Sequence, residues 1–262
     1  MITADLHTHS SFSSDSSEPL VNIAKSARGK GLKTVCLTEH MDFDYPGGEF
    51  ILNTKEYREG LLKARAELSG IEILFGVELG LMDYLAPRLA EYAKEWDFDF
   101  IIGSSHLIDG QDPYYPEYFE QLGSRNGILR YFESILANIR AFDNFDVYGH
   151  LDYAARYSPE KKYEPLDFRE LIDEILKLLI SKGKGIEINT AGLVSGLGYV
   201  HPNPFILKRY KELGGEIITV GSDAHDKARV GADFDAAEAA LKAAGFEYYA
   251  VFRKRTAEFV RI

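Results

Sequence analysis

Asp5-Leu6-His7-Thr8-His9 is the stretch from which the fold can be read. In an extended strand alternate side chains share a face, so Asp5, His7 and His9 are expected to project together while Leu6 and Thr8 turn away. Two imidazoles at i and i+2 can grip one divalent ion, and Asp15, six residues further on in a Ser-rich loop, can reach a second ion. A pair of this kind is a metal site only if other parts of the chain supply partners. The question is therefore which strand ends come back beside residue 7.

Working outward, Pro19 to Lys30 reads as a short helix with Pro at its first turn and Gly29 and Gly31 at its end. Lys33 to Thr38 is a β-branched, apolar run, hence a buried strand, and it stops at Glu39-His40. After a loop containing Pro46-Gly47-Gly48, Thr54 is expected to cap a helix running to about Leu68. The alternation repeats: strand Ile71 to Glu78, helix Ala86 to Trp96, and strand Phe98 to Gly103 leading into Ser104-Ser105-His106. Leu107 to Gly127, rich in Tyr, Pro, Asp and Gly, reads as a long loop and a candidate specificity wall. Helix Ile128 to Ala141, strand Phe145 to Gly149, helix Leu166 to Ser181, strand Gly185 to Asn189, helix Pro204 to Leu213 and strand Glu216 to Val220 follow, then an Ala-rich helix and a tail of one or two strands. Seven strands alternating with helices predict an α/β fold whose parallel sheet closes into a barrel. No repeat or linker composition marks a boundary, so residues 1–262 are expected to form one barrel domain.

Bulk properties exclude several classes. A chain of 262 residues that is 45% hydrophobic and 13% aromatic can bury a sizeable core, while no run approaches the roughly 18–20 apolar residues of a membrane helix. With no signal-peptide pattern at Met1 to Asp5 either, a cytoplasmic protein without a membrane partner is expected. The single cysteine, Cys36, cannot form an internal disulfide and sits in a strand-like run. A net charge of −11, with 41 acidic residues against 30 Lys and Arg, argues against nucleic acid as a partner. It leaves room for a small anionic substrate drawn to bound cations.

The carboxyl ends of the expected strands carry His7 and His9, then His40, Glu78, His106, His150, Asn189, and finally Asp223 with His225. Barrel enzymes gather their active-site groups on that rim, and six of the seven histidines fall there. His201, in Val200-His-Pro-Asn-Pro204, is the exception and reads as helix-entry structure. With Asp15 added, nine donors suit two or three ions better than one. Glu78 is the natural bridge, because a carboxylate has two oxygens and a neutral imidazole offers one lone pair. Asp5 and Glu39 adjoin these donors, as orienting groups or as ordinary polar strand-end residues. Clustered divalent ions suit phosphate-ester hydrolysis, in which one ion activates a water for attack on phosphorus and others neutralise phosphoryl charge. Glu78, Asp223 and His225 are the candidates for direct catalytic roles.

The motifs Asp5-Leu-His-Thr-His9, Thr38-Glu-His40, Gly76-Val-Glu78, Gly103-Ser-Ser-His106, Gly149-His-Leu-Asp152 and Gly221-Ser-Asp-Ala-His225 resemble, in order, those of the polymerase-and-histidinol-phosphatase (PHP) superfamily of metal-dependent phosphoesterases. The resemblance implies a distorted seven-stranded, TIM-like barrel with three divalent ions, Zn, Mn or Fe. Carried over residue by residue, it implies that His7, His9, Glu78 and Asp223 hold the first ion, Glu78, His106 and His150 the second, and Asp15, His40 and His225 the third. Within the superfamily the Tyr-rich insert and Gly149-His-Leu-Asp-Tyr-Ala-Ala-Arg156-Tyr157 look most like the histidinol-phosphate phosphatases, which implies L-histidinol phosphate as substrate.

A phosphomonoester dianion needs cations beyond the metals, and Arg156 lies at loop distance from His150, placed to clamp phosphoryl oxygens. Ser14 beside Asp15, Arg229, and Tyr115 and Tyr118 of the insert are further substrate-binding candidates. The substrate amine and imidazole call for an acidic pocket residue that the sequence does not identify. Rival readings are a phosphodiesterase or nuclease using the same site, a phosphatase for another small metabolite, and a metal-binding regulatory protein.

Overall fold

A computed structural model describes residues 1–262. Seven parallel strands form one sheet in chain order: β1 (Ala4–Thr8), β2 (Thr34–Met41), β3 (Glu72–Gly80), β4 (Phe100–Ser104), β5 (Val147–Tyr148), β6 (Gly185–Asn189) and β7 (Ile218–Gly221). Parallel strands are covered on both faces, which is why β2, with its Thr-Val-Cys-Leu core, is almost wholly buried. The helices between strands are α1 (Leu20–Gly29), α2 (Thr54–Glu67), α3 (Ala86–Glu95), α4 (Pro116–Leu122), α5 (Ser124–Ala141), α6 (Arg169–Ser181), α7 (Ala191–Val194) and α8 (Pro204–Glu212), with α9 (Phe234–Ala244) after the last strand. Their apolar faces join the strands in one continuous core of 75 buried residues.

Closure occurs just beyond β7. The Asp223 amide donates to the His7 carbonyl at 2.8 Å, the His9 amide donates to the Ala224 carbonyl at 2.8 Å, and Thr8 pairs with Ala224 in parallel. Gly221 permits this approach, since a Cβ there would collide with His7 and with the Glu187 carboxylate. All seven strands thus point their carboxyl ends to one rim, as expected for a barrel. The register places His40 of β2 directly beside Glu78 of β3. Below the sheet, the tail folds back as an antiparallel hairpin, β8 (Tyr248–Arg253) and β9 (Thr256–Arg261), whose Phe252 stacks on Phe100 at 5.1 Å between ring centroids.

Three local expectations need correction. Leu107 to Gly127 is not a continuous loop: Pro116, whose missing amide costs nothing at a helix start, opens α4, and α5 already begins at Ser124. The cap of α2 is Asn53, whose side chain accepts from the Glu56 amide at 3.3 Å, and not Thr54. The fifth strand shrinks to two paired residues. His201 is structural, as expected of the entry to the helix that begins at Pro204: Asn203 caps α8, and the buried His201 just before it exchanges backbone hydrogen bonds with Asn189 and has its Nδ1 2.5 Å from Asp152 Oδ1.

Candidate metal centre

Glu78 is fully buried at the end of β3, and five imidazoles converge on it from four other strands or their loops. Its Oε1 lies 2.9 Å from His150 Nε2 and 3.3 Å from His106 Nε2; its Oε2 lies 3.2 Å from His7 Nε2, 3.6 Å from His9 Nε2 and 3.0 Å from His40 Nδ1. Asp223 Oδ1 stands 3.6 Å from His7 Nε2 and 3.4 Å from His9 Nε2. Asp15 Oδ2 lies 3.4 Å from His40 Nε2 and 3.0 Å from His225 Nε2. All nine donors singled out in the sequence therefore meet in one cluster, brought there from residues 7 to 225. Asp223 adopts a left-handed backbone (φ 54°), a conformation unusual outside glycine that turns its carboxylate into the cluster.

The second nitrogen of each ring shows what the first is for. His7 Nδ1 bonds Glu187 Oε1 at 2.6 Å, and His106 Nδ1 bonds Asp42 Oδ1 at 2.7 Å. His225 Nδ1 donates to the Asp223 carbonyl at 3.0 Å. Ser13 Oγ donates to Glu39 Oε2 at 2.6 Å, so it accepts from His9 Nδ1 at 3.2 Å. With Nδ1 engaged as a donor in all four rings, the neutral form of each carries its lone pair on the inward-facing Nε2, the tautomer a metal ligand requires. His7 Nε2 and His9 Nε2 face one another at 3.1 Å.

That packing fits cations. His40 Nδ1, Glu78 Oε2 and His150 Nδ1 are buried without a hydrogen-bond partner, although His40 Nδ1 and Glu78 Oε2 are 3.0 Å apart; their orientation is wrong for a hydrogen bond. Burial and neighbouring charges act strongly on the groups of the cluster. Burial works against the Glu78 carboxylate, yet His7, His106 and His40 hold it well below the usual range. Burial also opposes charge on His40, but Glu78 and Asp15 carry it up to about 10, while burial together with His40 and His225 pushes His9 well down. Donor triplets within ligating reach are His9, His40 and His225; His7, His9 and Asp223; His7, Glu78 and His150; and His40, Asp42 and His106.

Sequence reasoning missed the groups that hold these rings. Glu187, in the middle of β6, bonds His7, receives the His150 amide at 3.1 Å and receives Asn189 Nδ2 at 3.2 Å. Asp42 follows His40 closely, and Ser104 Oγ donates to Glu78 Oε1 at 2.7 Å. Only the strand-end positions of Asp42 and Ser104 offered a signal. Glu39 does orient His9, through Ser13; Asp5 turns from the cluster and accepts from the Ser222 amide and hydroxyl and the Gly231 amide.

Above the cluster lies a cavity of about 310 Å³. Its floor includes Asp15, His40, His106, His150, Asp223 and His225, and Arg156 and Tyr115 are in its wall. The Arg156 guanidinium stacks over Tyr153 at 4.2 Å and reaches Asp223 Oδ2 at 3.6 Å through Nη1. Three candidates fall elsewhere. Tyr118 is in the core, its hydroxyl committed to the Gly127 carbonyl at 2.7 Å; Arg229 pairs with Asp233 at 2.8 Å outside the cavity; Ser14 is exposed and does not line it.

Comparison with known proteins gives concordant results. The PHP domain family matches residues 5–191. A histidinol-phosphatase of Lactococcus lactis is 35% identical over 95% of this chain and 93% of its own length. A protein of Thermotoga maritima named as a probable histidinol-phosphatase is 31% identical, covering 96% of each chain. The structure of histidinol phosphate phosphatase from Lactococcus lactis, solved with zinc, L-histidinol and phosphate, superposes with a TM-score of 0.90 at 33% identity, covering 98% of both chains.

Proposed function

The chain belongs to the PHP domain family, and from that premise we propose that it is a metal-dependent phosphomonoesterase that hydrolyses L-histidinol phosphate to L-histidinol and phosphate. The observation that carries the reading is Glu78, a buried carboxylate with imidazole nitrogens arrayed around both oxygens; three of the rings, His40, His106 and His150, also line the cavity. The proposal includes three divalent ions, of Zn, Mn or Fe. His7, His9, Glu78 and Asp223 would hold the first, Glu78, His106 and His150 the second, and Asp15, His40 and His225 the third. It also treats residues 1–262 as one functional unit in the cytoplasm, because Asp223 and His225 lie beyond the family-matched segment yet complete the cluster.

Bound divalent ions supply an activated water near neutral pH and positive charge for the phosphoryl oxygens. The chain's own part is positional. Glu187, Asp42 and Ser13 lock three rings with Nε2 inward, so that they offer lone pairs without reorganising. Arg156 is largely buried, held by Tyr153 and Asp223, and its Nε has no partner; a phosphomonoester dianion is the ligand its planar donors suit. Burial works against both the Glu78 and the Asp223 carboxylates, but His7 and its neighbours hold each below its ordinary range, which suits the ligand roles given to them.

The test is phosphate release by metal-loaded protein from L-histidinol phosphate, phenyl phosphate and short DNA, with metal content measured on the same sample. Preferred, chelator-sensitive turnover of L-histidinol phosphate is expected. DNA cleavage without monoesterase activity would sink the reading in favour of a nuclease, and tight metal binding without turnover of any ester would favour a metal-binding regulator.

A further inference from the structure

Five carboxylates line the cavity, and their partners separate them. Asp15 faces His40 and His225, Asp42 bonds His106, and Asp223 stands beside His7, His9 and Arg156. Glu49 is exposed on the turn after Pro46, with no ion pair or side-chain hydrogen bond. Asp112 alone is both partly buried and fixed without touching any histidine. Its Oδ1 accepts from the Tyr114 amide at 2.8 Å and its Oδ2 accepts from the Tyr45 hydroxyl at 2.9 Å. A carboxylate has about four acceptor positions, so two bonds set its orientation and leave lone pairs for a ligand.

Aromatic rings surround it. Tyr45 packs edge-on against Phe50 at 4.6 Å; Tyr114 packs edge-on against Tyr115 at 5.2 Å and against Tyr157 at 5.4 Å. Tyr157 in turn lies 5.1 Å from the Arg156 guanidinium. The cavity therefore runs from cationic phosphate-binding machinery to an acid set among tyrosines, an arrangement that attracts a molecule with an anion at one end and a cation at the other. Burial pushes the Asp112 carboxyl up from its ordinary range, and a bound cation would offset that cost.

We propose that Asp112, fixed by Tyr45 and flanked by Tyr114 and Tyr115, is the subsite for a protonated nitrogen of the substrate, and that it selects phosphate esters of amino alcohols over nitrogen-free esters. This rests on the phosphomonoesterase reading above. In L-histidinol phosphate the cationic N–H donor is supplied by the amine or by the imidazole, and a deaminated analogue separates the two.

The test compares the metal-loaded parent with Asp112→Asn on L-histidinol phosphate, on its deamino analogue and on phenyl phosphate, and measures L-histidinol binding by calorimetry without turnover. Removing a charge-assisted hydrogen bond should weaken L-histidinol binding about ten- to hundred-fold. It should raise KM for L-histidinol phosphate by a similar factor, with much smaller effects on kcat and on phenyl phosphate. If the deamino analogue escapes the loss, the amine is the group held; if it shares the loss, the imidazole is. Tyr45→Phe, which frees the carboxylate but keeps its charge, should move the same ratio in the same direction by less. Equal losses on all three esters, a larger effect of Glu49→Gln, or no L-histidinol binding by the parent would each overturn the subsite. If instead the parent binds L-histidinol through Asp112 but releases no phosphate from any ester, the subsite stands and the enzymatic reading fails.

Discussion

The two ends of the barrel bury charge in opposite ways. At the lower end the charges are paired within the protein. Arg255 Nε donates to Asp146 Oδ2 at 2.6 Å, and the same oxygen accepts the Ile101 amide at 2.8 Å. Arg253 grips Glu72 through two bonds of 2.7 and 2.5 Å, and Arg65 reaches Asp99 at 3.0 Å. At the carboxyl rim, polar atoms are buried together without hydrogen-bond partners for all of them. Of the eight buried side-chain atoms lacking a partner, five belong to His40, Asp42, Glu78, His150 and Arg156. Complete pairing marks charge that secures the fold, and a shortfall concentrated on one group marks a place where ligands belong.

The strongest way to break this contrast is Glu78→Ala. If Glu78 bridges, metal analysis should show the loss of two ions, and activity should fall by more than the roughly 10–100-fold typical of losing an outer partner of a ligand. Full metal occupancy in that variant would refute the bridge.

Glu187→Gln probes the next shell. Because its carboxylate holds both His7 and the His150 backbone, metal affinity should drop about 10–100-fold while the variant stays folded. A metal titration identical to the parent's would show that these rings are held by packing alone.

At the lower end the effects should appear in stability and not in metal content. Arg255→Ala strands the mostly buried Asp146 without its cation and should cost about 2 kcal/mol in denaturant unfolding, below the 3–5 kcal/mol of a fully buried pair because Arg255 is partly exposed. Metal loss on that substitution would mean that the two ends are coupled.

Glu72→Gln should have the smallest effect. The Arg253 hydrogen bond lowers the Glu72 pKa in the folded state, so the folded protein holds fewer protons there than the unfolded chain. Its stabilisation is present above the ordinary glutamate pKa and is lost as pH falls through the lowered folded value. With both groups partly exposed, the variant should be less stable by under about 1 kcal/mol at neutral pH, and the difference should vanish in acid. A gap that persisted in acid would point to packing as its source.

Apart from Asp15, which lies in a Ser-rich loop, the primary ligand candidates were legible because they stand at the ends of apolar runs. The run ends where the barrel ends, so the residue after it stands on the rim. The groups that hold them were not legible for the opposite reason. Glu187 sits within the strand Gly-Ile-Glu-Ile-Asn, where a charged residue in a buried parallel strand is an anomaly without an address; its partner His7 is 180 positions away. The insert misled through composition, since Tyr, Pro and Asp density reads as a loop even where Pro116 begins a helix. Tyr115 and Tyr118 look alike in sequence, yet one lines the cavity and the other fills the core, because helical periodicity turned Tyr118 inward.

The sequence by itself determined the alternation of strands and helices, the parallel sheet and the row of imidazoles and carboxylates at its strand ends, because hydrophobic periodicity and strand termini are local properties. Only the tertiary structure decided that Asp5 would leave the row its neighbours His7 and His9 occupy, that Glu187 and Asp42 would set the ring tautomers, and that Asp112 would face the cavity. Those outcomes depend on barrel closure, which carries Asp223 to the His7 carbonyl at 2.8 Å, and on hydrogen bonds between residues far apart in the chain. No local pattern encodes such distances.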